Sequence, residues 1–136
     1  MPMADSQTNC IIYHGESPAP IKLSGTVSRG DAVGYSDGWK RALATAGSVV
    51  QMRCVASEAG VEDQVITAYF GLCEMGGRFS TGTEGNAVYV AEGTASGKYI
   101  DVVPTTTGDA NKIVGYTMTA TRITIHPNMN VDSLAT

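Results

Sequence analysis

A catalytic site that needs a histidine base would have to use one of only two histidines in the chain. They are His14 and His126. A nucleophile such as Cys54 or Ser80 would have to meet one of them in the fold. Neither histidine lies in a motif that positions a base, and His126 directly precedes Pro127. We therefore interpret both as surface or turn residues and predict that the protein is not an enzyme.

One glycine-rich segment, residues 93–99, has part of the composition of a phosphate-binding loop. Its two glycines are separated by three residues where such a loop has four, and Tyr99 stands where Ser or Thr must hold magnesium. The segment also connects two predicted strands and does not open a helix. We interpret it as a β-turn with a solvated lysine, Lys98, and expect no cofactor.

Metal ligands at diagnostic spacing are absent from the sequence. No pair of His, Cys or acidic residues has zinc spacing, and no calcium loop of alternating Asp and Asn occurs. The three cysteines, Cys10, Cys54 and Cys73, are widely spaced and odd in number. Reduced, buried thiols fit this pattern better than a disulfide framework does. We expect no metal site.

Composition limits the classes of partner. The 136 residues suit one domain, and 43% hydrophobic residues can form a real core. Only 16% of the residues are charged, against roughly 25% in average soluble proteins. Such a low charged fraction is typical of chains that bury much of their surface against partners. A net charge of -4 with scattered basic residues argues against nucleic acid. No apolar run approaches the roughly 20 residues that span a bilayer, which predicts no membrane partner. Residues 1–9 lack the apolar core of a signal peptide, so we expect the protein to be made in the cytosol.

The elements that must position any site are predicted to be short strands. Segments rich in Val, Thr and Ile alternate with Gly, Asn and Asp turns, which is typical of all-β proteins. Asp37-Gly38 predicts a tight hairpin turn. Residues 48–56 are apolar on both faces and predict a central strand. Eight to ten such strands predict a small β-barrel or β-sandwich.

The termini are predicted to lie outside this domain. Residues 1–20 are interpreted as a flexible, extended N-terminal arm, stiffened near its end by Pro18 and Pro20. Residues 21–128 form the single β domain, and residues 129–136 form a polar tail.

Aromatic residues in a small β domain suggest either a sugar-binding platform or core packing, and we favour core or interface. They are Tyr35, Trp39, Tyr69, Phe70 and Phe79. Phe79 and its neighbour Arg78 lie between glycines, so we expect an exposed loop contact there.

Two groups of motifs resemble those of small phage capsid decoration, or cement, proteins and of phage head-fibre proteins. The resemblance covers residues 25–128. The first group of motifs lies near the start of this region and consists of Gly30-Asp-Ala-Val33, Asp37-Gly38 and Trp39-Lys-Arg-Ala42. The second is similar to the C-terminal half of those proteins and consists of Gly85-Asn-Ala-Val-Tyr-Val90, Gly97-Lys-Tyr99, Val114-Gly-Tyr-Thr117 and Ala120-Thr-Arg-Ile-Thr-Ile-His-Pro127.

The resemblance implies a β-barrel or β-tulip domain in a virion structural protein, with no catalytic residues. Its partner would be the major capsid protein, whose subunits it would bridge on the capsid surface after assembly in the host cytoplasm. It would form a homo-oligomer, a trimer in preference to a dimer. The alternative is a tail or head-fibre module that binds a host-surface glycan or receptor.

Capsid contacts are expected in the N-terminal arm, which would add a strand to the shell. The expected contact residues are Cys10, Ile11, Ile12, Tyr13, Pro18 and Pro20.

Overall fold

The computed structural model describes residues 2–136, and these form thirteen short β-strands and no helix. In chain order the strands are β1 Ala4–Asp5, β2 Ile11–Gly15, β3 Pro18–Lys22, β4 Ala32–Tyr35, β5 Trp39–Arg41, β6 Met52–Ala56, β7 Val65–Tyr69, β8 Cys73–Gly76, β9 Phe79–Ser80, β10 Ala87–Val90, β11 Tyr99–Ile100, β12 Gly115–Thr119 and β13 Arg122–Ile125. The prediction of an all-β protein is confirmed.

Three antiparallel sheets contain these strands. The six-stranded sheet has the order β11-β10-β12-β13-β8-β2, and the five-stranded sheet has the order β3-β7-β6-β4-β5. The third sheet is the short pair β1-β9. None of the three closes into a barrel, so the two larger sheets give a sandwich-like arrangement.

The main hydrophobic core contains residues of both larger sheets. Alternate residues of β8 and β13 point inward from the six-stranded sheet, and residues of β4 and β6 meet them from the other sheet. The inward residues of these four strands are Ala32, Met52, Val55, Cys73, Met75, Ile123 and Ile125. Their burial removes apolar surface from water and holds the two sheets together.

A second core lies on the other face of the five-stranded sheet. It contains Ile21, Leu23, Val27, Val33, Cys54, Ala56, Ile66 and Ala68, with Trp39 and Phe70 packed against them. All these residues belong to the five strands or to the segments beside them, so the sheet curls around its own core. The central strand β6 therefore buries residues on both faces, as its sequence predicted.

The predicted Asp37-Gly38 turn connects β4 and β5 and is confirmed. Asp37 has φ 56° and Gly38 has φ 117°, while Tyr35 pairs with Trp39. A Cβ on Gly38 would lie 2.5 Å from Ser24 Cβ, so this position needs glycine for its conformation and for its space.

We expect Gly38→Ala to lower the free energy of unfolding by about 1–3 kcal/mol, because alanine is strained at this φ. Urea denaturation would measure it. Gly25→Ala is the matched control, since no atom lies within 4 Å of its added Cβ. Equal stability of the two variants would contradict the argument.

The structure does not show the extended N-terminal arm expected for residues 1–20. Within the described residues, this segment supplies β1, β2 and most of β3, which pair with β9, β8 and β7. Met3 is buried in the main core. The arm was expected because the segment is polar and rich in proline, but each of its strands has a partner far along the chain.

The polar C-terminal segment, residues 129–136, is largely exposed but attached to the domain at several points. Leu134 forms a bridge with Ala110. Asp132 accepts hydrogen bonds from Arg53 at 2.6 and 2.8 Å and from the buried Lys112 Nζ at 2.9 Å. The hydrogen bond from Arg53, followed by that from Lys112, lowers the pKa of Asp132 well below its ordinary value.

Candidate functional site

The edges of the two larger sheets differ in whether another strand can pair with them, and β3 is a blocked edge. Backbone hydrogen bonds at Ser17 and Leu23 show that the N–H and C=O groups of the odd-numbered residues of β3 point towards β7. The N–H and C=O positions of the even-numbered residues therefore point away from the sheet. The outward positions are therefore Pro18, Pro20 and Lys22. Proline has no N–H to offer a new strand, and a charged lysine also discourages pairing.

The opposite edge of the same sheet, β5, is already engaged. Leu23 forms a parallel bridge with Trp39. Ser24 donates backbone and side-chain hydrogen bonds to Trp39 O, at 2.8 and 3.0 Å. The outward face of β5 is thus paired at its first residue, and the strand is only three residues long.

In the six-stranded sheet, the edge strand β11 is covered by the N-terminal segment. Tyr99 N, a backbone donor of β11 that points away from the sheet, donates a hydrogen bond to Asp5 Oδ2 of β1 at 3.0 Å. Met3 N donates to Asp101 Oδ1 at 2.8 Å directly beyond the strand. The first contact satisfies a backbone N–H that would otherwise be open to another strand, and the second holds the N-terminal segment beside β11.

The remaining edge, β2, pairs on one side only within residues 2–136. Its partner is β8, and a register irregularity falls at Tyr13. Ile11 is 49% exposed and Tyr13 is 50% exposed, whereas Ile12 and Cys10 are half-buried against the main core. An open edge with exposed apolar side chains is a surface to which another strand can add.

The outer face beside β2 carries side chains that are enriched in protein interfaces. The Arg122 guanidinium lies over the Tyr13 ring, 3.9 Å from its centroid, and forms an ion pair with Glu74. Tyr116, two strands away from β8, is 48% exposed on the same face. Tyrosine and arginine are over-represented in interfaces because they combine a large apolar area with hydrogen-bonding capacity.

We call Ile11, Tyr13, Arg122 and the open backbone of β2 the edge patch. Of the contact residues predicted from sequence, only those of the segment 10–13 lie at this edge. Pro18 and Pro20 lie at the blocked edge of the other sheet, where they oppose strand addition. The predicted contact residues therefore lie at two different sheet edges.

A buried ion-pair network anchors the N-terminal segment. Arg78 Nε and Nη2 donate to Asp5 at 2.7 and 2.9 Å, and Nη1 donates to Asp31 at 3.0 Å. The side chains of all three residues are almost fully buried. Burial alone would lower the pKa of Arg78, but the hydrogen bonds and charge of Asp5 outweigh it and raise that pKa.

Further polar groups complete this network. Arg41 Nε donates to Asp31 Oδ2 at 2.7 Å, and Gln7 Nε2 donates to Asp31 Oδ1 at 3.1 Å. The Tyr99 hydroxyl donates to Gly30 O at 2.9 Å. The network ties β1 to the loops before β4 and β11, so it keeps the β11 edge covered.

The expected exposed loop contact at Arg78 and Phe79 is wrong. Arg78 is buried in the network, and Phe79 is 4% exposed and packs edge-on against Tyr99 with ring centroids 5.9 Å apart. The flanking glycines suggested a loop, but Phe79 belongs to β9, which pairs with β1. Nothing in the local sequence reveals partners that lie so far away in the chain.

Burial keeps the cysteine thiols unreactive, and His14 pairs with a carboxylate at the surface. Burial raises the pKa of Cys54 and of Cys73 to about 12, and burial also raises that of Cys10, so these thiols stay protonated near neutral pH. His14 lies at the surface and contacts Glu16 at 2.8 Å. No group of three or more metal-ligating His, Cys, Asp or Glu side chains occurs in residues 2–136.

The aromatic residues do not form a flat sugar-binding platform. Tyr35 packs against Trp39 and Trp39 packs against Phe70, with centroids 5.3 and 5.7 Å apart. The successive rings are nearly perpendicular, at 79° and 84°. Trp39 and Phe70 support the second core, and Tyr35 is the one well-exposed residue of the five aromatic residues considered for a platform.

Comparisons with known proteins add no relative: no family model, no curated protein and no solved structure matches the chain. No helix long and apolar enough to cross a membrane occurs in the described residues.

Proposed function

We propose that the chain is a non-enzymatic structural protein of a phage particle, a decoration protein that attaches through the edge patch to the outside of the capsid. Its partner is the major capsid protein, which supplies a strand that pairs with β2. We further propose that the two larger sheets form a true sandwich. The protein would act at the virion surface as a homo-oligomer, a trimer in preference to a dimer.

The observation that carries the proposal is the difference between β2 and the other three edges. β3 is blocked by Pro18 and Pro20, β5 is bridged by Leu23, and β11 is covered by Asp5. Proteins generally protect edge strands against pairing, so one unprotected apolar edge favours a role in binding. The motif resemblance then favours a capsid shell as the partner.

The two binding elements have distinct roles in this proposal. Backbone hydrogen bonds to β2 supply affinity that depends little on side chains, whereas Tyr13 and Arg122 supply specificity from the adjacent face. Many copies on one shell add their modest contributions through multivalency. Residues 2–20 act here as fixed strands of the domain, not as a free arm.

We expect Ile11→Glu to reduce attachment to shells at least tenfold, because it places a charge in the apolar edge where the partner strand would pack. Co-sedimentation of the purified protein with capsids from the source of the sequence, stripped of this chain, would measure the bound fraction. Thermal melting would verify that the variant remains folded.

Val65→Glu is the matched control, since Val65 is another exposed β-branched strand residue but belongs to the five-stranded sheet. It should bind like the unmodified chain. Failure of the unmodified chain to sediment with shells would overturn the proposed partner. Equal binding of both variants would overturn the proposed surface.

A further inference from the structure

The backbone of β2 turns the hydrogen-bonding groups of Ile12 away from the sheet. Glu16 N donates to Leu72 O at 2.9 Å, so Leu72, which precedes β8, faces β2. Alternate residues of a strand face the same neighbour, so Gly76 also faces β2, and its partner Ile11 faces β8 in return. The N–H and C=O groups of Ile12, the next residue, therefore point outward and are placed to pair with another strand.

This edge is complementary to a second copy of itself. If β2 paired antiparallel with β2 of another copy about a twofold axis at Ile12, the two Ile12 residues would exchange two backbone hydrogen bonds. Ile11 of each copy would then lie opposite Tyr13 of the other. Ile11 and Tyr13 are 49% and 50% exposed on the same outer face. An aromatic residue opposite a β-branched residue is a favourable cross-strand pair.

The charges along the strand do not oppose such pairing. Identical strands that carry charges near the axis repel each other. Residues 6–13 contain no charged side chain, and His14 and Glu16, which follow them, would lie opposite uncharged residues of the second copy. Arg122 on the adjacent face is already compensated by Glu74. The seam would therefore contain no pair of like charges.

Pairing through β2 would stop at two copies. It would use the open edge of both chains, and the other edges of the two larger sheets are blocked by Pro18 and Pro20, bridged by Leu23 or covered by Asp5. A twofold interface between identical surfaces is closed. Self-pairing would thus protect an edge that otherwise invites aggregation, without producing a fibre.

We propose that the unattached chain forms a dimer in which β2 pairs antiparallel with β2 of a second copy. The two six-stranded sheets then join into one continuous sheet. The register irregularity at Tyr13 keeps the seam short, so it buries less than the roughly 1,200 Å² typical of stable interfaces. We expect a dissociation constant on the order of 10–100 µM.

The dimer regulates the edge patch, and this consequence rests on the proposed function. A chain whose β2 is paired with a second copy cannot pair with a capsid strand, so dimer formation and attachment exclude each other. The oligomer proposed for the virion surface is a separate state, reached after attachment.

Sedimentation equilibrium of the full chain between about 5 and 500 µM tests the dimer. We expect the average mass to rise from one chain towards two and to level off there. Ile11→Glu should weaken dimerisation at least tenfold, because it places a carboxylate against Tyr13 of the other copy. Val65→Glu is the matched control, since Val65 is exposed on the five-stranded sheet, and it should dimerise like the unmodified chain.

Isotope-filtered NMR on a mixture of labelled and unlabelled chains locates the seam. We expect intermolecular contacts between the Ile11 methyl groups and the Tyr13 ring. The dimer would be overturned by a single-chain mass at all concentrations, by growth beyond two copies, by equal dimerisation of Ile11→Glu, or by a dimer without these contacts. A chain that stays monomeric but sediments with shells overturns this inference and leaves the proposed function intact. A dimer that never binds shells does the reverse.

Discussion

Arg78→Met should lower the free energy of unfolding by about 3–5 kcal/mol, because it leaves Asp5 and Asp31 buried without the guanidinium that compensates them. Methionine retains much of the apolar stem, so the change isolates the loss of charge and hydrogen bonds. A protein of this size has about 5–15 kcal/mol of stability in total, so the variant should be marginally folded. Urea denaturation monitored by circular dichroism would measure the change.

Arg53→Met is the matched control for this substitution. Arg53 also donates two hydrogen bonds to one carboxylate, that of Asp132, but both side chains are partly exposed. An exposed ion pair contributes about 0–1 kcal/mol, so the control should unfold near the unmodified chain. Similar losses in the two variants would contradict the claim that the Arg78 network anchors the N-terminal segment.

The second large effect is expected from truncation. A chain that starts at Ile21 lacks β1 and β2, retains only the end of β3, loses Met3 from the main core and deprives Arg78 of Asp5. These losses together exceed the stability of an ordinary domain of this size. We expect no cooperative thermal transition and a circular dichroism spectrum of an unfolded chain.

The opposite outcome has a clear meaning. A truncated chain that melts cooperatively near the temperature of the full chain would show that residues 1–20 are dispensable for folding. The interpretation as an independent arm would then be correct, and β2 would be a segment that leaves the domain when it binds.

Local signals in the sequence predicted those parts of the fold that depend on near neighbours. Asp37-Gly38 predicted its turn because positive φ values are cheap for these residue types. The run of apolar residues in 48–56 predicted the central strand β6, because a strand with cores on both faces needs no polar side. These features require little knowledge of the rest of the chain.

Features that depend on distant partners could not be predicted. Arg78 is separated by 73 positions from Asp5 and by 47 from Asp31, so its burial has no local signature. Pro18 and Pro20 suggested a connector, although proline is compatible with an edge strand when its missing N–H points outward.

The position of the edge patch overlaps the contacts predicted from sequence. Ile11 and Tyr13 were expected as capsid contacts because residues 1–20 were interpreted as an arm that reaches the shell, and the structure places them on an open sheet edge. Among the four edges of the two larger sheets, β2 is the one left unprotected within residues 2–136, because prolines block β3 and distant segments cover β5 and β11. Arg122 was missed for the same reason, since only the sheet order brings it over Tyr13.

Cryo-electron microscopy of capsids from the source of the sequence tests the central claim most directly. We expect density for this chain outside the major capsid shell, with β2 hydrogen-bonded to a strand of a capsid subunit and with Tyr13 and Arg122 in the contact. Density for the chain at the tail or a fibre, its absence from the particle, or attachment to the shell with β2 facing solvent would contradict it.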